Sequence, residues 1–266
     1  MTAIALDRRP SIYNRVPKVT LDFWVIKLMA VTVGETAADF LSEHLGLGLM
    51  TTSVIMAGFL VVALLLQFAQ RKYVPWSYWL AVVSISVVGT LISDYLADKL
   101  GVPLVTTSIL FAAALATIFA VWYALEGTLS IHTIYTGRRE AFYWLAILFT
   151  FALGTSAGDL AAEQMGLGYL QAGLMYALVI AVIALAYYRL KMNCILAFWL
   201  AYIVTRPMGA SFGDYTAQPH AYGGLGLGTT VTSLIFLGCI AAVIVYMTVT
   251  REGEEPSADR PRPSAD

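Results

Sequence analysis

The sequence predicts an all-α, polytopic membrane helix bundle of about eight transmembrane helices, arranged as four tandem helical hairpins in two halves. Three observations carry this prediction. Of the 266 residues, 59% are hydrophobic and only 12% are charged, against roughly 25% charged in an average soluble domain. Long stretches carry no charge, and one residue pattern recurs four times. The near-neutral balance of 16 Lys and Arg against 17 Asp and Glu also argues against nucleic acid as a partner.

Eight apolar stretches are long enough to cross a bilayer, whose core of about 30 Å needs roughly 20 helical residues. The predicted spans are 20–42, 50–70, 77–98, 104–125, 141–163, 170–189, 194–216 and 228–249. The residues before the first span are polar, and this span has no small-residue cleavage site. We therefore expect it to be a permanent anchor and not a cleaved secretory signal.

The spans divide the chain into five segments. These are an N-terminal segment (1–18), membrane repeats one and two (19–125), a linker (126–140), membrane repeats three and four (141–250) and a tail (251–266). The tail holds three prolines among mixed charges and no apolar residue larger than Ala, so we expect it to be disordered.

The basic residues outside the predicted spans indicate an orientation. One side of the predicted membrane holds nearly all of them: Arg8, Arg9, Arg15, Lys18, Arg71, Lys72, Arg138, Arg139, Arg189, Lys191 and Arg251. Lys99 falls on the other side. The positive-inside rule then predicts that both termini are cytoplasmic, which an even number of spans permits.

The recurring pattern lies in the odd-numbered helices and consists of a Trp, a Gly ten positions later and an Asp five positions after the Gly. Its copies are Trp24, Gly34, Asp39; Trp79, Gly89, Asp94; Trp144, Gly154, Asp159; and Trp199, Gly209, Asp214. A small residue follows each Gly by four positions: Ala38, Ser93, Gly158 and Gly213. Such small-xxx-small faces let helix backbones approach closely, so we expect the four odd helices to pack around a shared centre.

These motifs resemble a family of bacterial integral membrane proteins built from tandem copies of a repeat of unknown function with a GTSADL-like core. Residues 154–160 read GTSAGDL and match this core well, and residues 34–41 read GETAADFL. The resemblance covers about residues 19–249. It implies a multi-pass protein of the bacterial cytoplasmic membrane and brings no established activity.

The four Asp residues are the first candidates for ion binding. A rise of 1.5 Å per residue places each Asp roughly 22 Å above its Trp, and Trp residues favour membrane interfaces. Four carboxylates at one height would form a ring at the outer mouth of the bundle, which would concentrate cations. The alternative is structural, because an Asp near the end of a span can face interfacial water or cap the following helix.

Glu35 and Arg206 are the second pair of candidates. Glu35 lies one turn deeper than Asp39, whereas the other copies have Thr90, Thr155 and Ala210 at this position. A charge this deep in a bilayer is costly unless it is paired or hydrated, and Arg206, next to the helix-interior Pro207, is the expected partner. Lys27 lies only three residues above Trp24, so we expect it to extend to the headgroups in a structural role.

The sequence gives little sign of a metal centre, a cofactor or an enzyme. His44 and His220 follow repeat Asp residues and are weak metal-ligand candidates, with solvent-exposed loop histidines as the alternative. We expect no cofactor. Because the chain has no Walker loop, dinucleotide fingerprint, zinc-protease helix or nucleophile elbow, we also expect no enzyme. An intramembrane aspartyl hydrolase would need two special Asp residues, whereas the chain has four equivalent ones.

Two functions fit these observations. The first is a secondary transporter or exporter of a small cation, with a divalent metal ion as the leading candidate, in which the Asp ring is the entry or exit site and Glu35 with Arg206 a deeper gate. The second is a non-transporting membrane scaffold or accessory subunit, in which the repeat Gly and Asp residues are purely structural. The expected partners are the lipid bilayer and a small ion or solute, and the sequence is compatible with a homo-oligomer.

Overall fold

The protein is all-helical in the computed structural model, which describes residues 13–250 and contains no strand within them. Its long helices are α1 Leu21–Asp39, α2 Leu49–Phe68, α3 Pro75–Asp94, α4 Leu104–Glu126, α5 Gly137–Asp159, α6 Tyr169–Leu190, α7 Cys194–Ala217 and α8 Thr229–Thr250. The predicted helical membrane bundle is confirmed. The predicted tail, residues 251–266, lies outside the described residues, as does most of the N-terminal segment.

Seven of these eight helices, α2 to α8, are long and apolar enough to cross a membrane, so the chain is a multi-pass membrane protein. The exception is α1, in which Asp22, Lys27, Glu35 and Asp39 lower the mean hydropathy. The α1 helix nevertheless packs against α3, α7 and α8 inside the bundle, where protein and not lipid surrounds its deeper charges.

The odd helices form an inner ring, and the even helices lie outside it. In the ring α1 packs against α3, α3 against α5, α5 against α7, and α7 against α1. In the inner helices α3, α5 and α7, 56–61% of the residues in the most apolar stretch are buried inside the protein. In the outer helices this share is only 17–22%. Large apolar side chains cover the outer helices, such as Ile109 at 63% exposure and Leu178 at 66%. The outer helices therefore present the lipid-facing surface.

The packing of the outer helices departs from the predicted hairpins. Each even helix packs mainly on the odd helix that follows it in the chain: α2 on α3, α4 on α5 and α6 on α7. The last one, α8, closes the circle by packing on α1. In sequence, each repeat is an odd helix followed by an even helix. In space, each even helix packs on the odd helix of the next repeat, so every repeat is linked to the next.

The repeat glycines lie at the contacts between neighbouring inner helices. A methyl group on Gly34 would overlap Ser86, one on Gly89 would overlap Phe151, and one on Gly154 would overlap Arg206. Gly209 faces Val31 in the same way and completes the ring. Each Gly therefore packs against the residue that precedes the next copy's Gly by three positions, an approximate fourfold arrangement that only a residue without a side chain permits.

The small residues four positions later lie in the same interfaces. Ser93 and Ser156 bring their hydroxyl oxygens within 2.8 Å of each other. Gly158 faces Ala210, and Gly213 faces Thr32. Ala38 is fully buried against α3.

The inner helices end similarly in the first three repeats. Directly after Asp39, Asp94 and Asp159 the backbone widens into a π-helical turn, over Phe40–His44, Tyr95–Lys99 and Leu160–Gln164. The chain then reverses at Gly46, Gly101 and Gly166, whose φ values of +65° to +70° strain any other residue. In repeat four α7 continues to Ala217 without a π turn. We call this end of the bundle, where the repeat Asp residues lie, the acidic end.

The opposite end, where the repeat Trp residues lie, is called the aromatic end. Trp79, Trp144 and Trp199 are 0%, 3% and 4% exposed, so they lie in the protein core at this end and not on the lipid-facing surface. They pack against other aromatic rings, as Trp199 does against Tyr202 of α7 and Trp122 of the outer helix α4. Their large apolar rings fill the space between neighbouring helices, since Trp79 contacts Phe23 of α1 and Trp144 contacts Tyr78 of α3.

Candidate functional site

Six rows of four side chains occupy equivalent positions along the inner helices, which surround a central axis. The equivalent positions in the four repeats recur every four residues, from Phe23 near the aromatic end to Glu43 at the acidic end. Five steps of four residues span about 30 Å, the thickness of a bilayer core. The rows are Phe23, Tyr78, Tyr143, Phe198; Lys27, Val82, Ile147, Tyr202; Val31, Ser86, Phe151, Arg206; Glu35, Thr90, Thr155, Ala210; Asp39, Asp94, Asp159, Asp214; and Glu43, Asp98, Glu163, Gln218.

An acidic cavity of about 560 Å³ opens at the acidic end of this axis. Its walls hold all four repeat Asp residues and Glu35, together with the outermost row of Glu43, Asp98, Glu163 and Gln218. Eight of the seventeen residues that line it are acidic, and none of the seventeen is basic. The structure thus brings Asp39, Asp94, Asp159 and Asp214 together around one cavity.

The deepest part of the cavity contains a carboxylate triad, which we define as Glu35, Asp159 and Asp214. One carboxylate oxygen from each lies within 4.8 Å of the others. Three carboxylates this close repel one another unless they share protons or a cation. The triad is therefore the part of the cavity with the strongest demand for positive charge.

Asp214 is the more buried of the two triad carboxylates, Asp159 and Asp214, that have no hydrogen-bond donor or ion-pair partner within residues 13–250. Its side chain is only 7% exposed. Across residues 13–250, no side chain or backbone group donates a hydrogen bond to it and no basic group forms an ion pair with it. A buried acidic group normally has such a partner, so Asp214 is available to bind a ligand in the cavity.

Arg206 closes the floor of the cavity. Its Nη1 donates to Glu35 Oε2 at 2.9 Å, which is the contact expected from the sequence. Its Nη2 donates to the hydroxyl oxygens of Thr90 and Thr155, the latter at 2.8 Å. Thr90 in turn donates to Glu35 Oε2 at 3.2 Å. One guanidinium thus joins all three polar members of the Glu35 row and fixes the Glu35 carboxylate.

Lys27 lies one row below Arg206, so the prediction that it reaches the headgroups is wrong. Its side chain is fully buried. The ammonium donates to the Tyr202 carbonyl oxygen at 2.6 Å and lies 4.0 Å from the centre of the Tyr202 ring. The sequence places Lys27 near the aromatic end but does not reveal which side of α1 faces the axis.

The axis is filled below the cavity. The last row consists of Phe23, Tyr78, Tyr143 and Phe198, each at most 9% exposed. The hydroxyl groups of Tyr78 and Tyr143 hydrogen-bond to each other at 2.5 Å. We call these four side chains the aromatic plug. With Arg206 and Lys27 above it, the plug closes the axis toward the aromatic end, so the cavity opens at one end only.

The histidine candidates do not join the site. Neither His44 nor His220 lines the acidic cavity or belongs to the carboxylate triad. His44 is exposed and stacks on Phe40, while His220 Nδ1 lies 2.8 Å from the Gly224 carbonyl oxygen in the loop before α8. The loops after the repeat Asp residues carry these histidines outward, so the metal-ligand interpretation loses its geometric basis.

Two groups of polar residues were missed from the sequence, one exposed at the mouth of the cavity and one buried at the aromatic end. The first is the outermost row, Glu43, Asp98 and Glu163, whose signal is an acidic residue four positions after each of the first three repeat Asp residues. The second lies at the aromatic end, where the fully buried Glu140 accepts from Arg15 Nη1 at 2.6 Å and from Gln67 Nε2 at 3.1 Å. No residue spacing in the sequence predicts this network, which connects the N-terminal segment to α5.

The arrangement can bind cations through oxygen ligands. Four acids at one height, a further row above them and Glu35 below create a negative potential that concentrates cations. The π-helical turns place the outermost row over the repeat Asp residues, and such turns are frequent at functional sites.

Comparison with known families agrees with the architecture. The family model described as a repeat of unknown function, DUF347, matches the chain four times, at residues 23–73, 77–128, 142–193 and 197–252. Each match covers one odd helix and the even helix after it. The resemblance noted from the GTSADL-like motifs is therefore confirmed. Neither the curated proteins nor the solved structures contain a match to this chain.

Proposed function

We propose that this chain, which belongs to the DUF347 family of repeats of unknown function, is a secondary transporter or exporter of a small cation. A divalent metal ion is the first candidate substrate. The observation that carries this proposal is the convergence of eight acidic side chains on one cavity inside a membrane bundle. A pure scaffold has no evident need for uncompensated carboxylates, because burying them is costly.

The approximate fourfold repeat and the closed axis support an alternating mechanism. A cation would enter the acidic cavity and reach the carboxylate triad, while Arg206, Lys27 and the aromatic plug block onward passage. Transport then requires the inner helices to move against one another. Parallel repeats related by an axis along the membrane normal are one known transporter architecture.

Asp214→Asn tests the binding step. Wild-type protein is expected to gain about 2.7 kcal/mol of stability at a divalent cation concentration one hundred times Kd, because the ligand binds only the native state. The variant should lose most of this gain while unfolding normally without cation. Thermal unfolding of purified protein in detergent, with Mg²⁺, Ca²⁺, Mn²⁺ and Zn²⁺ in turn, measures both quantities.

Asp22→Asn is the matched control for this experiment. Asp22 is an acid at the aromatic end of α1, outside the residues that line the cavity, so its loss should leave the cation response unchanged. If no cation stabilises wild-type protein, or if both variants respond as wild type does, cation binding in the cavity is excluded.

The filled axis favours one alternative, a cation-binding scaffold that does not transport. Proteoliposomes that contain a cation-sensitive dye separate the two functions. A transporter should show flux that Asp214→Asn abolishes, whereas a scaffold should show binding by thermal unfolding and no flux above empty liposomes.

We further propose that the protein lies in the bacterial inner membrane with both termini in the cytoplasm. Apart from Lys27 and Arg206, which are buried within the bundle, only Lys99 of the basic residues in the described chain lies at the acidic end. The other eight lie at the aromatic end: Arg15, Lys18, Arg71, Lys72, Arg138, Arg139, Arg189 and Lys191. The positive-inside rule makes the aromatic end cytoplasmic. The acidic cavity would then open to the periplasm.

Thiol labelling tests this orientation. The exposed Cys194 lies at the start of α7, at the aromatic end. In a Cys239→Ser background, a membrane-impermeant maleimide is expected to label Cys194 in inverted vesicles and not in intact spheroplasts. Met165→Cys in a protein without the natural cysteines should give the opposite result, because Met165 is 66% exposed at the acidic end. Labelling of Cys194 in spheroplasts would reverse the orientation.

A further inference from the structure

We infer that the carboxylate triad of Glu35, Asp159 and Asp214 is a specific site for a hard divalent cation of the Mg²⁺, Mn²⁺ and Ca²⁺ class. This inference rests on the proposed function and names its substrate class. Two independent features carry it: the ligand chemistry of the cavity, and the buried Asp214 carboxylate that has no partner within residues 13–250.

The chemistry of the walls selects the class of metal. The side chains that line the cavity offer carboxylate, hydroxyl and amide oxygens, with no imidazole, thiol or thioether among them. Zn²⁺, Ni²⁺ and Cu²⁺ bind better where nitrogen or sulfur ligands are present, whereas Mg²⁺, Ca²⁺ and Mn²⁺ prefer oxygen. Because His44 and His220 lie outside the cavity, they cannot supply nitrogen ligands that would favour Zn²⁺, Ni²⁺ or Cu²⁺ there.

The charge of the site selects the valence. Arg206 forms its ion pair with Glu35 and is buried at the floor of the cavity. Three carboxylates and one guanidinium carry a formal charge of −2 when ionised, and the other acidic side chains of the cavity add to it, so a divalent cation offsets more of the charge than a monovalent one does. A monovalent cation would leave more uncompensated negative charge in the deep, poorly hydrated part of the cavity, and this costs free energy. Arg206 is therefore a positioning residue that holds Glu35 and reduces the charge of the triad.

The spacing of the triad agrees with such an ion. Two ligands on opposite sides of a cation are separated by at most twice the metal–oxygen distance, about 4.2 Å for Mg²⁺ and about 4.6–5.2 Å for Ca²⁺. The triad oxygens lie within 4.8 Å of one another. An ion of Ca²⁺ size can thus bridge any two of these carboxylates as they stand, while the third carboxylate, water and the neighbouring Asp residues are close enough to supply further oxygens after small movements.

Selectivity is tested with purified full-length protein in nanodiscs. Wild type is expected to bind Ca²⁺ or Mn²⁺ more tightly than Zn²⁺, and Na⁺ should not compete at equal concentration. Asp159→His adds an imidazole to the triad, so it should weaken Ca²⁺ binding by about a hundredfold, the upper range for losing a group that supports a metal. The same variant should bind Zn²⁺ more tightly than wild type does. Titration calorimetry gives each affinity.

The outcomes separate this inference from the proposed function. Tighter binding of Zn²⁺ than of Ca²⁺ and Mn²⁺ by wild type overturns the hard-cation inference and leaves a cation transporter standing. Absence of binding for every metal overturns both. Asp22→His places an imidazole outside the cavity and should leave the selectivity of wild type unchanged. If it shifts selectivity as Asp159→His does, the triad is not the site.

Discussion

Arg206→Met is expected to lower the free energy of unfolding by about 3–5 kcal/mol, because removing one partner of a buried ion pair leaves the other uncompensated. Arg206 is fully buried and bonds to Glu35, Thr90 and Thr155. Without the guanidinium, Glu35 remains beside Asp159 and Asp214 and loses the ion pair that compensates its charge. The effect should be large although Met preserves most of the volume of the side chain.

Denaturant titration in mixed micelles measures this loss, and a double variant provides its control. Glu35→Gln with Arg206→Met removes both charges, so it should recover much of the stability that Arg206→Met loses. If the single variant unfolds at the same denaturant concentration as wild type, the Glu35–Arg206 pair does not stabilise the bundle. Its importance would then lie in the cation site alone.

Gly154→Val is expected to destabilise the inner ring by about 3 kcal/mol or more, since overpacking at a close contact forces the backbones apart. A side chain on Gly154 would overlap Arg206 and meet Pro207 on the neighbouring helix α7. Separation of α5 from α7 would also move Arg206 away from Thr155. We therefore expect the variant to lose stability and cation binding together.

Gly58→Val is the matched control for this substitution. Gly58 is exposed on the outer helix α2, and no atom lies within 4 Å of where its Cβ would be. The same change of residue should therefore shift the free energy of unfolding by no more than about 0.5 kcal/mol. Thermal unfolding and monodispersity on a sizing column report both variants. Equal destabilisation would mean that the repeat glycines are not contact residues of the ring.

The sequence by itself determined the height of each residue in the membrane. The Trp, Gly and Asp pattern recurs in four helices, and helices of constant rise convert equal spacing into equal height. The eight helices and the convergence of Asp39, Asp94, Asp159 and Asp214 follow from that regularity. The contact between Glu35 and Arg206 was predictable for the same reason, because two deep opposite charges in one bundle are stable only together.

Only the tertiary structure decided which face of each helix points inward and which neighbour it contacts. Lys27 and Trp79 are fully buried in the bundle, although the sequence indicated only their height and suggested that Lys27 extends to the headgroups. The packing of each even helix on the next odd helix was equally absent from the sequence. The physical reason is that lipid and protein interior are both apolar, so hydrophobic periodicity, which orients helices in water, carries little information about rotation in a bilayer. Rotation is fixed by close packing at glycine and by the pairing of buried charges, and both depend on all four repeats at once.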